Sequence, residues 1–176
     1  MPNYYSPHFT VDTPTATVGT SADVPRIKAA PGLRHAGVKH SHALIDISGT
    51  DLATTEVLRM FTMKSSDRLL ELYLTNTHTG SALTFDVGLY DVGNNHDGAV
   101  VDANLLATIT DGTAATRTAL FADILGDTDR GKALWELLGL SADPIKDYDV
   151  CLTAVTVTTV TEGISLLEAV YKAGGE

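Results

Sequence analysis

Five of the six prolines, at positions 2, 7, 14, 25 and 31, fall in the first forty residues, and no sustained hydrophobic period runs through that stretch. Proline fixes φ and removes a backbone donor, so residues 1–40 cannot form a helix or a central strand and are expected to be an extended N-terminal arm. Apolar and basic side chains spaced along it are candidate contacts for a partner: Tyr4, Tyr5, Phe9, Val11, Val24, Arg26, Ile27, Lys28, Leu33 and Arg34. Docking such an arm costs roughly 1–2 kcal/mol of chain entropy per ordered residue, so many contacts are needed to hold it.

From residue 43 the period becomes two. His42-Ala-Leu-Ile-Asp-Ile-Ser starts a strand. Val57 to Met63 is expected as a second, with Val57, Arg59, Phe61 and Met63 on one face, and Leu69 to Thr75 as a third, with Leu70, Leu72 and Leu74 opposed to Leu69, Glu71 and Tyr73. Leu83 to Tyr90 alternates most clearly, placing Leu83, Phe85, Val87 and Leu89 inward. Asn76 to Gly80 and Gly93 to Gly98 are turn-rich, as antiparallel hairpins require. Two long β-prone runs, Asp149 to Thr161 and Ile164 to Lys172, close the chain.

Between residues 114 and 140 the period is helical. Leu120, Phe121, Ile124 and Leu125 make one stripe; Leu134, Trp135, Leu138 and Leu140 make another, with Asp127 or Asp129 as the natural N-cap. The chain is therefore read as mainly β: an antiparallel β-sandwich or jelly-roll-like body over 41–176, with a short helical insert at about 114–140 and the arm in front.

Charge narrows the partners. Of the formal −10 over 176 residues, the first fifty carry Asp12, Asp23 and Asp46 against Arg26, Lys28, Arg34 and Lys39, so the acidity belongs to the remainder. An acidic body repels phosphate backbones, and nucleic acid is not expected as a partner. Neither an 18-residue apolar run nor a basic-then-apolar leader occurs, so no membrane partner and no secretory signal are expected.

Reactive chemistry is sparse. Gly-x-Ser-x-Gly, Walker, Gly-x-Gly-x-x-Gly and His-Glu-x-x-His motifs are missing, and no enzyme and no cofactor are expected. The lone Cys151 lies in an apolar strand and reads as a small hydrophobe. His40-Ser-His42 puts two imidazoles on one strand face, a metal-capable spacing with no third ligand nearby except His35; it is read as surface histidines, with no metal. Asp91 to Gly98 lacks the spacing of a calcium loop and is read as a hairpin tip. Trp135, Tyr90, Tyr148 and Tyr171 could stack a sugar, although Trp135 at helical spacing reads as core.

The runs Ala43-Leu-Ile-Asp-Ile-Ser, Leu83-Thr-Phe-Asp-Val-Gly-Leu-Tyr-Asp91, Asp147-Tyr-Asp-Val-Cys-Leu-Thr-Ala-Val-Thr and Gly163-Ile-Ser-Leu-Leu-Glu-Ala-Val-Tyr171 resemble the capsid decoration, or cement, proteins of tailed bacteriophages over residues 40–173. The resemblance implies a structural protein on the virion surface, assembled in the host cytoplasm. It also implies a homotrimer that binds the outside of the phage head and staples neighbouring major capsid proteins, with the major capsid protein and other copies of itself as partners. A receptor- or carbohydrate-binding module of a tail or fibre is the other expectation.

Overall fold

The computed structural model describes residues 3–5, 37–46, 52–77, 79–80, 83–111, 116–120, 129–157 and 160–174. Eleven strands lie among them: β1 (Asn3–Tyr5), β2 (Val38–Asp46), β3 (Val57–Lys64), β4 (Arg68–Asn76), β5 (Thr79–Gly80), β6 (Leu83–Asp91), β7 (Val100–Asp111), β8 (Thr116–Ala119), β9 (Asp147–Thr156), β10 (Val160–Glu162) and β11 (Ile164–Lys172). A short helix, α1 (Leu134–Leu137), also lies among them.

Strands β2-β11-β4-β8 form one sheet and β1-β3-β9-β6-β7 another, with β10-β5 as a small separate pair. Leave out β1 and the small pair, and eight strands split between two four-stranded sheets in the interleaved order of a double Greek key, the jelly roll. The sandwich expected from the alternation is therefore the observed fold. Leu83, Phe85, Val87 and Leu89 of β6 are buried, together with Leu167 and Ala169 of β11 and Leu72 and Leu74 of β4, in one cluster that joins both sheets.

Two β-bulges correct the expected faces. In β3 the pairing with β9 skips a residue between Arg59↔Cys151 and Phe61↔Val150. Leu58 and Met60 face the core before the skip, and Phe61 and Met63 face it after, whereas Val57 packs with Tyr90 and Cys151 in a second cluster. Arg59 is thereby separated from Phe61 and Met63, because one extra residue reverses every side chain that follows. In β4 the register with β11 slips between Val170↔Glu71 and Tyr171↔Leu69, so Leu69 joins Leu72 and Leu74 in the core while Leu70 is only half-buried.

Strand β9 stops at Thr156 rather than Thr161, because its last register partner is Thr84, next to the start of β6. Residues 160–162 pair instead with β5. Strand β7 was not visible as an alternation. Its pairing with β6 jumps from Val87↔Ala107 to Leu89↔Asp102, so residues 103–106 arch away from the ladder. Opposite that arch stands Gly88, whose place admits no Cβ: one built there meets the Asp102 carbonyl and the Ala103 backbone.

Only part of the expected helical insert lies among the described residues. Phe121, Ile124, Leu125 and Asp127 lie outside the described residues, and Leu140 is exposed rather than packed. The N-cap of α1 is Ala133, not Asp129. Gly131, at φ +83°, turns the chain between Asp129 and the helix, leaving Asp129 too far upstream to cap; its carboxylate pairs with Lys132 Nζ at 2.5 Å. Glu136 Oε2 does the capping, accepting from Ala133 N–H at 2.6 Å and from Arg68 Nη1 at 3.0 Å.

Candidate interaction surfaces

The bulge in β3 places Arg59 beside Cys151 on the side of its sheet away from the main core, where a buried ionic centre forms in which Arg59 Nε has no hydrogen-bond partner among the described residues. The Arg59 side chain is 2% exposed and that of Asp149 0%, with Nη1 donating to Asp149 Oδ2 at 2.8 Å. Arg59 also donates from Nη1 to the Asp91 carbonyl at 3.1 Å and from Nη2 to the Gly98 carbonyl at 2.7 Å, and its guanidinium lies 5.4 Å from the Tyr90 ring centre. Asp149 Oδ1 accepts from Thr62 Oγ1 at 2.9 Å, and His96 Nδ1 lies 2.9 Å from Oδ2. The β6–β7 turn, with His96 at φ +54°, is thus clasped onto the sheet. Asp91 to Gly98 is the hairpin tip it was expected to be, and the Asp91 carboxylate is held by Lys146 Nζ at 2.5 Å.

Chemically this centre fastens rather than reacts. Every oxygen of Asp149 is engaged, and burial pushes the neighbouring Cys151 thiol far above the ordinary range, because a thiolate there would lose its hydration. Tyr90 and Tyr148 are likewise raised, first by burial. We expect Cys151 in the native protein to resist a disulfide reagent at pH 8 and to react rapidly once urea unfolds the chain. A native rate within about tenfold of the unfolded one would show that the second cluster opens readily.

The outward face of the β2-β11-β4-β8 sheet is different in kind. His40 and His42 stack at 5.5 Å between ring centres. Glu168, across from His42 in register, lies 3.7 Å from His40 Nε2 through Oε1 and accepts from Arg117 Nε at 3.2 Å through Oε2. The Arg117 guanidinium sits 3.8 Å over the Tyr73 ring, and Tyr73 donates to Glu71 at 3.1 Å. Val38 and Leu44, 49% and 41% exposed, flank the histidines along β2, and Ile164 adds a third exposed aliphatic on β11. Among the described residues no group of three or more His, Cys, Asp or Glu side chains has metal-holding geometry. No helix among them is long and apolar enough to cross a membrane.

Of the arm residues, Tyr4 and Tyr5 belong to β1, which pairs in parallel with β3 in the register Tyr4↔Leu58 and Tyr5↔Arg59. Phe9, Val11, Val24, Arg26, Ile27, Lys28, Leu33 and Arg34 lie outside the described residues. The aromatics considered for sugar stacking do not form a platform: Tyr90, Tyr148 and Tyr171 are buried and Trp135 is half-buried in α1. Sequence reasoning missed the Arg59–Asp149 pair and the role of Glu168, because each partner lies on a strand remote in sequence. The only signal was a charged residue at an apolar-run position, Arg59 in Val-Leu-Arg-Met-Phe and Asp149 in Tyr-Asp-Val-Cys.

No family model matches the sequence, and no curated protein matches it. Among solved structures, a chain from the capsid of Ralstonia phage GP4 superposes with a TM-score of 0.51 at 17% identity, over 78% of this chain and 86% of that one. The fold is shared with a phage capsid chain. A chain of the cyanophage Pam1 capsid gives 0.43 at 18% identity over 92% and 99%, and the Tobacco streak virus coat protein gives 0.37 at 10% over 80% and 89%. Scores below 0.5 add nothing to that likeness.

Proposed function

We propose that this chain is a structural virion protein that binds the outside of a phage head and staples neighbouring major capsid proteins, and that it associates with copies of itself, as a trimer in the form the sequence resemblance implies. The observation that carries the reading is the jelly roll itself, which aligns along most of its length with a chain from a phage capsid. Three features support it. The buried ionic groups hold one another and the β6–β7 turn by hydrogen bonds, the work of a scaffold. The acidity lies behind residue 50, which suits the outer surface of a shell packed with DNA rather than its lining. The pairing of Asn3–Tyr5 with β3 demonstrates that a sheet edge of this body accepts an extended segment, the mode by which an arm would engage a neighbour.

Cryo-electron microscopy of the source particle tests the location: jelly-roll density over the boundaries of major capsid subunits is expected, and density confined to the tail or its fibres would replace this reading with the receptor-binding one. The arm is tested by removing residues 1–36, which leaves β2 whole. The truncated chain should keep its far-ultraviolet β signal yet lose attachment to heads lacking the protein, by more than about a hundredfold in affinity, as the loss of a multivalent tether requires. Unchanged occupancy would remove the arm from the attachment mechanism.

A further inference from the structure

Strand β2 is the outer strand of its sheet, bonded among the described residues to β11 alone, over nine consecutive pairs without a register shift. Long regular edges invite another strand, and proteins usually blunt them with proline, bulges or charge. Here Val38–Asp46 contains neither proline nor bulge and a single lysine, Lys39. Its outward positions read Val38, His40, His42, Leu44 and Asp46, and the first four are a palindrome of type about Ser41: aliphatic, imidazole, imidazole, aliphatic.

An isologous contact needs such self-complementarity, because each residue meets its symmetry counterpart's surroundings. If a second copy pairs antiparallel with the dyad at Ser41, Val38 of each copy falls opposite Leu44 of the other, and His40 falls opposite His42. The two most exposed aliphatic side chains of β2 then cover one another.

We propose that β2 is a two-fold self-pairing edge whose dyad assembles a four-imidazole site for a borderline divalent cation such as zinc. Among the described residues one chain brings two stacked imidazoles and Glu168 together, and no group of three or more such side chains there has metal-holding geometry. Directly opposed outward residues of an antiparallel pair stand about 4.5–5.5 Å apart at Cβ, so the dyad gathers His40 and His42 of both copies within reach of one ion, and imidazole suits zinc, copper or nickel. The site is incomplete without the second copy. The inference does not depend on the virion reading, since it concerns the isolated chain.

Sedimentation of the full chain with and without zinc chloride tests it. Zinc should convert the protein to an even-numbered assembly with about one zinc per two chains, and a chelator should reverse the change. The paired variant His40→Ala with His42→Ala should raise the zinc concentration needed by more than about tenfold, and Leu44→Lys should do the same by breaking the aliphatic contact. Register is read separately: Val38→Cys and Leu44→Cys chains should form an intermolecular disulfide when mixed and not when either is alone. Zinc bound at one per chain with unchanged mass, or equal cross-linking in the unmixed samples, would overturn the proposal.

Discussion

Replacing Arg59 by methionine should lower the free energy of unfolding by about 3–5 kcal/mol, because the fully buried Asp149 loses its guanidinium partner and keeps only Thr62 and the His96 ring beside it. For a domain of this size that corresponds to a fall of about 6–20 °C in melting temperature. The loss spreads beyond the pair. Arg59 also holds the Asp91 and Gly98 carbonyls, so the β6–β7 turn loosens with it. The double variant Arg59→Met with Asp149→Leu removes both charges and should recover more than half of the loss, since apolar replacement of a buried pair is often close to neutral. Urea unfolding followed by circular dichroism measures both. A single-variant cost below about 1 kcal/mol would mean that the pair is hydrated and behaves as a surface contact.

Gly88→Ala should cost about 3 kcal/mol, at the upper end of overpacking penalties, because the atoms it meets are backbone and cannot swing aside. Asp102 and Ala103 begin the arch that β7 makes over β6, and Gly88 is pinned from the other side by its pairing with Cys151. Amide shifts in a nitrogen-correlated spectrum should therefore concentrate in residues 86–90 and 100–107. Gly131→Ala is the control. It has open space around it and only its φ of +83° to oppose a side chain, so about 1–2 kcal/mol is expected. Equal costs at the two positions would mean that the arch yields and that residues 103–106 are not a fixed part of the sheet.

The strands were legible wherever alternation was unbroken. Leu83 to Tyr90 and Ile164 to Lys172 came out as expected because each pairs along its length with in-and-out residues that the period alone identifies. Val100–Asp111 stayed hidden because its arch interrupts the alternation, and Asp129 was the wrong cap because a glycine turn intervenes before the helix. The polar centre was invisible for a different reason: Arg59 and Asp149 stand ninety positions apart, and nothing in either local run names the other. The His40–His42 spacing was visible, yet its neighbour Glu168 comes from β11.

The amino-acid order by itself determined that this chain makes a two-sided β body behind a proline-punctuated leader, since side-chain alternation and proline's missing donor are local properties of consecutive residues. Tertiary structure alone decided which four strands face which, where the two bulges turn Arg59 away from the main core and Leu69 into it, and that β2 is the long regular edge among the described residues. The reason is physical. Register and edge status are relations between strands, set by hydrogen bonds to partners distant in the chain, and no single segment carries them.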